Sequence, residues 1–171
     1  MSTITPCLWF DNNIQEAIDH YQDVFPNTRV DSVNRSPDGG IFTAEFEIEG
    51  QRFMALNGGP QFSFTEAISF FVVCETQAEV DRYWDMLTSN GGEESQCGWL
   101  KDRFGLSWQI VPRAFMEMMQ GPPEKSQRAM NAMLQMRKLD VPTLRQAYDG
   151  APGKPRGMLV FEITLLQAGG A

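Results

Sequence analysis

Three cysteines, one histidine and a set of polar residues interleaved with aromatic ones carry whatever chemistry this sequence can do. Cys7, Cys74 and Cys97 are odd in number and widely spaced, which suits neither a disulfide framework nor a CxxC zinc site. Cys97 precedes Gly98 in a loop, with Lys101 and Arg103 nearby in sequence. A nucleophilic thiol needs such a cation to hold its pKa down; the commoner role is a small buried apolar thiol. Cys7 and Cys74 fall in or at the end of apolar strands, where an inert thiol is expected. His20, the sole histidine, stands beside the apolar stripe of a helix and is expected to face solvent. Ser-His-Asp and Cys-His catalysis would both depend on it, so both are set aside. Alternation puts Thr5, Cys7 and Trp9 on one face of a first strand. In a later strand Ser107, Gln109 and Val111 share a face, with Trp108 on the other. Trp9, Phe71, Trp99 and Trp108 are large, flat and semi-polar. They either fill the core or line an apolar pocket with Thr5, Ser69, Ser107 or Gln109 as polar tips.

Those residues need elements to position them. Ile14, Ala17, Ile18, Tyr21, Val24 and Phe25 follow a 3.6-residue period, so a helix is expected from Asn13 and Glu16, which resemble a capping box, to Pro26. Ile4 to Phe10 reads as a buried strand before it. Arg29 to Arg35, Ile41 to Ile48 and Gln51 to Leu56 read as strands after it, separated by Ser36-Pro37-Asp38-Gly39-Gly40 and Glu49-Gly50. The same β-α-β-β-β order then returns. Ala67 to Cys74 is an apolar strand, and Thr76 with Glu79 is a second capping box. Val80, Tyr83, Trp84 and Leu87 form a helical stripe ended by Asn90-Gly91-Gly92. Strands are expected at Glu93 to Gln96, Trp99 to Lys101 and Leu106 to Val111. An offset of 63 residues lays Asn13 on Thr76, Glu16 on Glu79 and Tyr21 on Trp84, the mark of a duplicated unit.

Beyond Pro112 the chain changes character: six of its ten methionines lie between Met116 and Met136. Helices are expected from about Glu124 to Lys138 and from Pro142 to Tyr148. The methionine stripe packs on the core or on a partner chain, or forms a pliable lid. Ala151 to Gly157 reads as a linker, and Met158 to Leu166 as an apolar strand or docked tail. The division is therefore 1–60, 61–112, 113–150 and 151–171.

Composition narrows the function. With 14 basic and 22 acidic residues among 171, the formal charge is −8, which argues against a sequence-independent nucleic-acid binder. No run approaches the ~20 apolar residues of a membrane span. The start of the sequence has no basic or apolar region of a signal peptide. With reduced thiols expected, the sequence reads as cytoplasmic.

Ile4 to Phe10, Phe53 to Gly59, Ala67 to Val72 and above all Cys97 to Pro112 (CGWLKDRFGLSWQIVP) resemble the PhnB-like family. That family belongs to the vicinal oxygen chelate superfamily, with glyoxalase I, bleomycin-resistance proteins and extradiol dioxygenases. The resemblance covers roughly residues 1–150. It implies an α+β fold of two βαβββ modules forming a half-open barrel around a cleft, with C-terminal helices added. The label demethylubiquinone methyltransferase often attached to PhnB-like proteins finds no glycine-rich loop between strand and helix to support it here.

Superfamily enzymes hold a divalent metal with one side chain from each of four strands. Carried over, those positions fall on Thr5, on Met54 or Ala55, on Ile68 or Ser69, and on Gln109. Thioether and isoleucine are poor or impossible ligands for a hard metal, and one neutral amide holds none. No metal and no cofactor are therefore expected. The leading expectation is a metal-free small-molecule binding protein, its ligand apolar or aromatic and its site drawn from Thr5, Cys7, Trp9, Ser69, Phe71, Trp99, Ser107 and Gln109. The alternatives are an enzyme of unassigned reaction and a dimeric structural or interaction module. A homodimer is expected, because open curved sheets leave edges and apolar surface to cover.

Overall fold

The computed structural model describes residues 4–150. Two four-stranded sheets carry the architecture, and their strand orders are the same. The first sheet runs β1 (Cys7–Phe10), β4 (Gln51–Asn57), β3 (Ile41–Ile48), β2 (Thr28–Arg35). The second runs β5 (Phe70–Cys74), β8 (Ser107–Pro112), β7 (Trp99–Lys101), β6 (Glu93–Glu94). In both, the first strand lies parallel to the fourth and the remaining pairs are antiparallel. Helix α1 (Ile14–Val24) follows β1 and helix α2 (Gln77–Thr88) follows β5. This is the duplicated βαβββ unit, in an α+β fold of the vicinal oxygen chelate type. The sheets are separate and close no barrel.

One core joins the modules. The stripe Ile14, Ala17, Ile18, Tyr21, Val24 and the stripe Val80, Trp84, Leu87 are both buried in it. From the sheets come Phe46, Phe53 and Ala55 on one side and Leu100, Trp108 and Ile110 on the other. Burying each such large side chain contributes about 1.5–3 kcal/mol. Rings cross the seam: Phe53 meets Phe70 edge-on at 4.9 Å, and Tyr21 meets Trp108 at 5.7 Å. Trp108 is thus a core residue, the alternative the alternation had left open.

The caps differ between modules. The Thr76 hydroxyl accepts the Glu79 N–H at 3.2 Å, and the Glu79 carboxylate accepts the Glu75 N–H at 2.6 Å. Asn13 makes no side-chain cap, because its backbone (φ −122°, ψ 25°) is not in the extended conformation a cap requires. Asn57 reaches across from β4 instead, its Oδ1 accepting the Ile14 N–H at 3.3 Å.

A second, smaller core lies beyond β8. Val111, Phe115, Met118, Ala129, Leu139 and Leu144 are buried together, with five partly buried methionines around them. They come from β8 and from α3 (Arg113–Met119), α4 (Pro123–Met133) and α5 (Val141–Asp149). The first of these helices was not anticipated, and the second stops five residues before the expected Lys138. The methionine stripe therefore packs on the chain's own helices. Strand β1 begins at Cys7 rather than Ile4, and β5 at Phe70 rather than Ala67. The linker 151–157 and the apolar stretch Met158 to Leu166 lie outside the described residues.

Candidate functional site

In the second sheet, register places three expected residues in one row. Phe71 lies opposite Gln109, and Gln109 opposite Trp99, across β5, β8 and β7. Directly opposed residues share a face, so this row points away from the core that holds Phe70, Trp108 and Leu100. The next row pairs Ser107 with Lys101. The Gln109 amide donates to the Ser69 hydroxyl at 2.9 Å. Phe71 is 50% exposed, and Trp99 is half-buried. Ser107 is buried, and its hydroxyl has no hydrogen-bond partner. It lies in a depression of about 120 Å³ with Trp99, Lys101 and Glu66. Lys101 and Glu66 pair at 2.6 Å. That hydrogen bond holds the ammonium above and the carboxyl below its ordinary range.

A cavity of about 480 Å³ adjoins this face at the seam between modules. Ser69 and Phe71 line it together with Phe25, Phe53, Phe70, Tyr83 and Trp108. The volume suits a small organic molecule. All of these aromatics but Phe71 belong to the core or pack against it. The sequence offered no signal that they border a void, since the void exists only where two modules meet.

The far end of the face is closed by the helical layer. Val111, one step beyond Gln109 on the same face, belongs to the helical core. The Cys97–Gly98 turn is pinned there too: its two N–H groups donate to Met136 O and Arg137 O, each at 2.8 Å. A side chain on Gly98 would meet Ile110 O at 3.0 Å and Leu139 at 3.2 Å, and its φ of +84° suits glycine alone.

Thr5, Cys7 and Trp9 lie on the first sheet, apart from that row. Cys7 stands opposite Met54 and Trp9 opposite Leu56. Thr5 lies in a shallow pocket with Met54, Arg52 and Glu45. Cys7 is exposed, not packed in an apolar strand. The Trp9 indole donates to Gly59 O at 2.8 Å, and the chain passes so close that a Cβ on Gly58 would fall 2.1 Å from the ring. Both sheets turn their core faces to one shared core, so the Thr5–Met54 face and the Ser69–Gln109 face both point away from it. Within one chain the eight expected residues fall into two separate groups, one on each sheet.

The residue that anchors the turn ahead of β8 was not anticipated. Asp102 is buried, and its Oδ1 accepts the N–H groups of Phe104 and Leu106 at 2.9 and 3.0 Å. Its Oδ2 accepts the Tyr21 hydroxyl at 2.8 Å and the Trp108 indole at 3.0 Å. Burial pushes this carboxyl above its ordinary range, against the pull of those four bonds. The signal available was an aspartate opening the turn Arg103-Phe104-Gly105 inside the most distinctive run. His20 is a correction: it is 8% exposed, packed against Phe104, and its Nε2 has no partner. The second module buries it, which the pattern of one helix does not reveal. Burial first, then nearby Arg103, lowers its pKa. Cys74 is buried, and desolvation pushes its thiol up to about 12.

Residues 2–111 match the protein family described as 3-demethylubiquinone-9 3-methyltransferase. A PhnB protein of Bacillus cereus is 29% identical, with a TM-score of 0.60 over 65% of this chain and 99% of its own. The PA1353 protein of Pseudomonas aeruginosa is 21% identical, with a TM-score of 0.53 over 66% and 98%. A fosfomycin resistance protein, FosX, of Listeria monocytogenes, complexed with Mn(II), is 15% identical, with a TM-score of 0.51 over 65% and 92%. The last two likenesses are of fold. No curated protein matches.

FosX raises the question of a metal. Of the two residues possible at the second superfamily position, Met54 points outward and Ala55 is buried. At the third, Ser69 meets Gln109, while Ile68 is exposed in the preceding loop. The donor set is then a threonine hydroxyl, a thioether, a serine hydroxyl and an amide, all neutral. Among the described residues no group of three or more His, Cys, Asp or Glu could hold a metal ion. These residues do not fit a resident divalent metal.

Proposed function

The chain belongs to the 3-demethylubiquinone-9 3-methyltransferase (PhnB-like) family, and on that premise we propose that it is a metal-free binding protein for a small aromatic or apolar molecule. The observation that carries this reading is the Ser69–Gln109 hydrogen bond at the edge of a 480 Å³ cavity, half of whose lining residues are aromatic. An amide can donate and accept, so the pair can open to bond a polar group of the ligand while the rings take its apolar body. Binding is favoured over methyl transfer because the strand-to-helix turns, Asp11–Asn13 and Glu75–Thr76, contain no glycine to bring backbone close to a nucleotide-type cofactor.

The protein acts as a homodimer in this reading. Phe71, Met54 at 39% exposure and Ile68 at 55% leave apolar surface on the open faces, and β1 and β5 are edge strands. A second copy covers these and sets the Thr5, Cys7 and Trp9 half-site of one chain against the Ser69, Phe71, Trp99, Ser107 and Gln109 half-site of the other. No described helix is long and apolar enough to cross a membrane, and the acidic charge leaves nucleic acid unsupported as a partner. Reduced thiols fit a cytoplasmic setting.

The test is a thermal-shift screen of small aromatic compounds beside elemental analysis of the purified protein. Aromatic hits with no stoichiometric metal support the reading. One Zn, Mn, Ni or Fe per chain, lost in a Gln109→Leu variant, would overturn it.

A further inference from the structure

The seam cavity of about 480 Å³ is bordered by five consecutive residues, Ser69, Phe70, Phe71, Val72 and Val73. Successive side chains of a strand point to opposite faces, so a void on either face would meet only every second one. A void that meets all five runs along the strand's edge. One edge of β5 is taken by β8, and among the described residues no strand lies beside the other. An open edge turns the N–H and C=O groups of alternate residues outward, here towards the cavity. Across the slot stand Ile48 and Phe53 of the first sheet, Phe25 next to α1, and Tyr83 of α2. Such a slot is complementary to an extended segment with one apolar side.

A segment of this chain outside the described residues has that pattern. In Met158 to Leu166, alternation puts Leu159, Phe161, Ile163 and Leu165 on one side and Glu162 and Thr164 on the other. It also starts within reach. Tyr148 and Asp149, at the end of α5, border one depression with Ala114. Ala114 follows Pro112 by two residues, and Pro112 lies in register with Cys74, the last residue of β5. That path is about 20–25 Å long. The chain from Gly150 to Met158 spans up to about 28 Å when extended. We propose that Met158 to Leu166 docks in this slot, antiparallel to β5, with Leu159, Phe161, Ile163 and Leu165 turned towards Phe25, Phe53 and Tyr83. The direction follows from entry at the Cys74 end. The tail then takes the edge of β5 and leaves a second copy the outward faces and β1. It also fills the space assigned above to a small molecule, and so competes with it; that consequence alone rests on the ligand reading.

Hydrogen–deuterium exchange of the full chain, read by peptide mass spectrometry, tests the docking with no ligand present. Peptides covering Ser69 to Cys74 are expected to exchange about tenfold faster or more in a Phe161→Asp/Ile163→Asp variant, because a carboxylate is not tolerated in an apolar slot. Phe161→Ala, a milder change, should move them in the same direction. Peptides covering the interior strand β3 should exchange alike in all the proteins. Thr164→Asp puts a charge on the other side of the tail and should leave β5 protected. Tenfold dilution of the wild type should also leave it protected. The proposal fails if β5 exchanges as fast in the wild type as in the Phe161 variants, or if Thr164→Asp acts like the double variant. It fails too if dilution alone exposes β5, which would assign the edge to a second copy. No arm contains a ligand, so failure here leaves the small-molecule reading to its own screen.

Discussion

The Tyr21 hydroxyl donates to the Asp102 carboxylate at 2.8 Å, across 81 residues of chain and across the seam between the modules. This bond ties the first helix to the turn that precedes β8, and so fixes the strand from which Ser107 and Gln109 project. Tyr21 is fully buried, and both burial and the negative charge of Asp102 push its hydroxyl well above the ordinary range, so it is a donor at neutral pH.

Tyr21→Phe therefore removes one of the four bonds to Asp102 and should cost about 1–2 kcal/mol. Asp102→Asn turns one acceptor oxygen into a donor facing donors and should cost about 2–4 kcal/mol. Urea denaturation of the two variants measures both. A cost for Asp102→Asn no larger than that for Tyr21→Phe would contradict the four-bond account.

His20 should govern a pH-dependent part of stability. Its folded-state pKa is lowered by burial, while the unfolded chain protonates near the ordinary value of about 6.5. Below that pH the unfolded state binds more protons, so stability is full above about pH 6.5 and is lost as pH falls. His20→Leu removes both the titration and an unpartnered buried nitrogen. It should flatten the fall between about pH 7 and 5. An unchanged slope in the variant, read from urea midpoints, would refute the assignment.

The thiols should react in order of exposure. Iodoacetamide is expected to modify exposed Cys7 in the native protein and to spare Cys74, which is buried with its pKa pushed up to about 12. Peptide mass spectrometry over time reads this, and equal labelling rates at the two sites would rule out the buried thiol.

The duplication was legible because it rests on local pattern. The 63-residue offset, the Thr76 cap and the strand Ile41–Ile48 all depend on neighbours in sequence, and all appear as expected. The Ser69–Gln109 hydrogen bond was not legible, since it exists only once β5 and β8, far apart in sequence, lie side by side. What failed depends on distant chain. Asn57 displaced Asn13 as the partner of the α1 N-terminus, and Phe104 with Arg103 buried His20 from the other module. The seam cavity is a property of two surfaces, neither of which records the gap between them.

If the proposed homodimer covers the exposed Phe71 and Met54 faces, light scattering at micromolar concentration should give twice the 19.3 kDa chain mass. A single-chain mass would separate the half-sites for good and leave the Ser69–Gln109 face as the whole site.

The most direct test of the central claim is calorimetric. The aromatic compound giving the largest thermal shift is titrated into the wild type and into Gln109→Leu, which keeps the side-chain bulk and removes the amide. For a ligand with a polar group, the account predicts a loss of affinity of about tenfold or more with the unfolding midpoint little changed. Equal affinity in the two proteins would contradict the assignment of Gln109 and, with it, the proposed site.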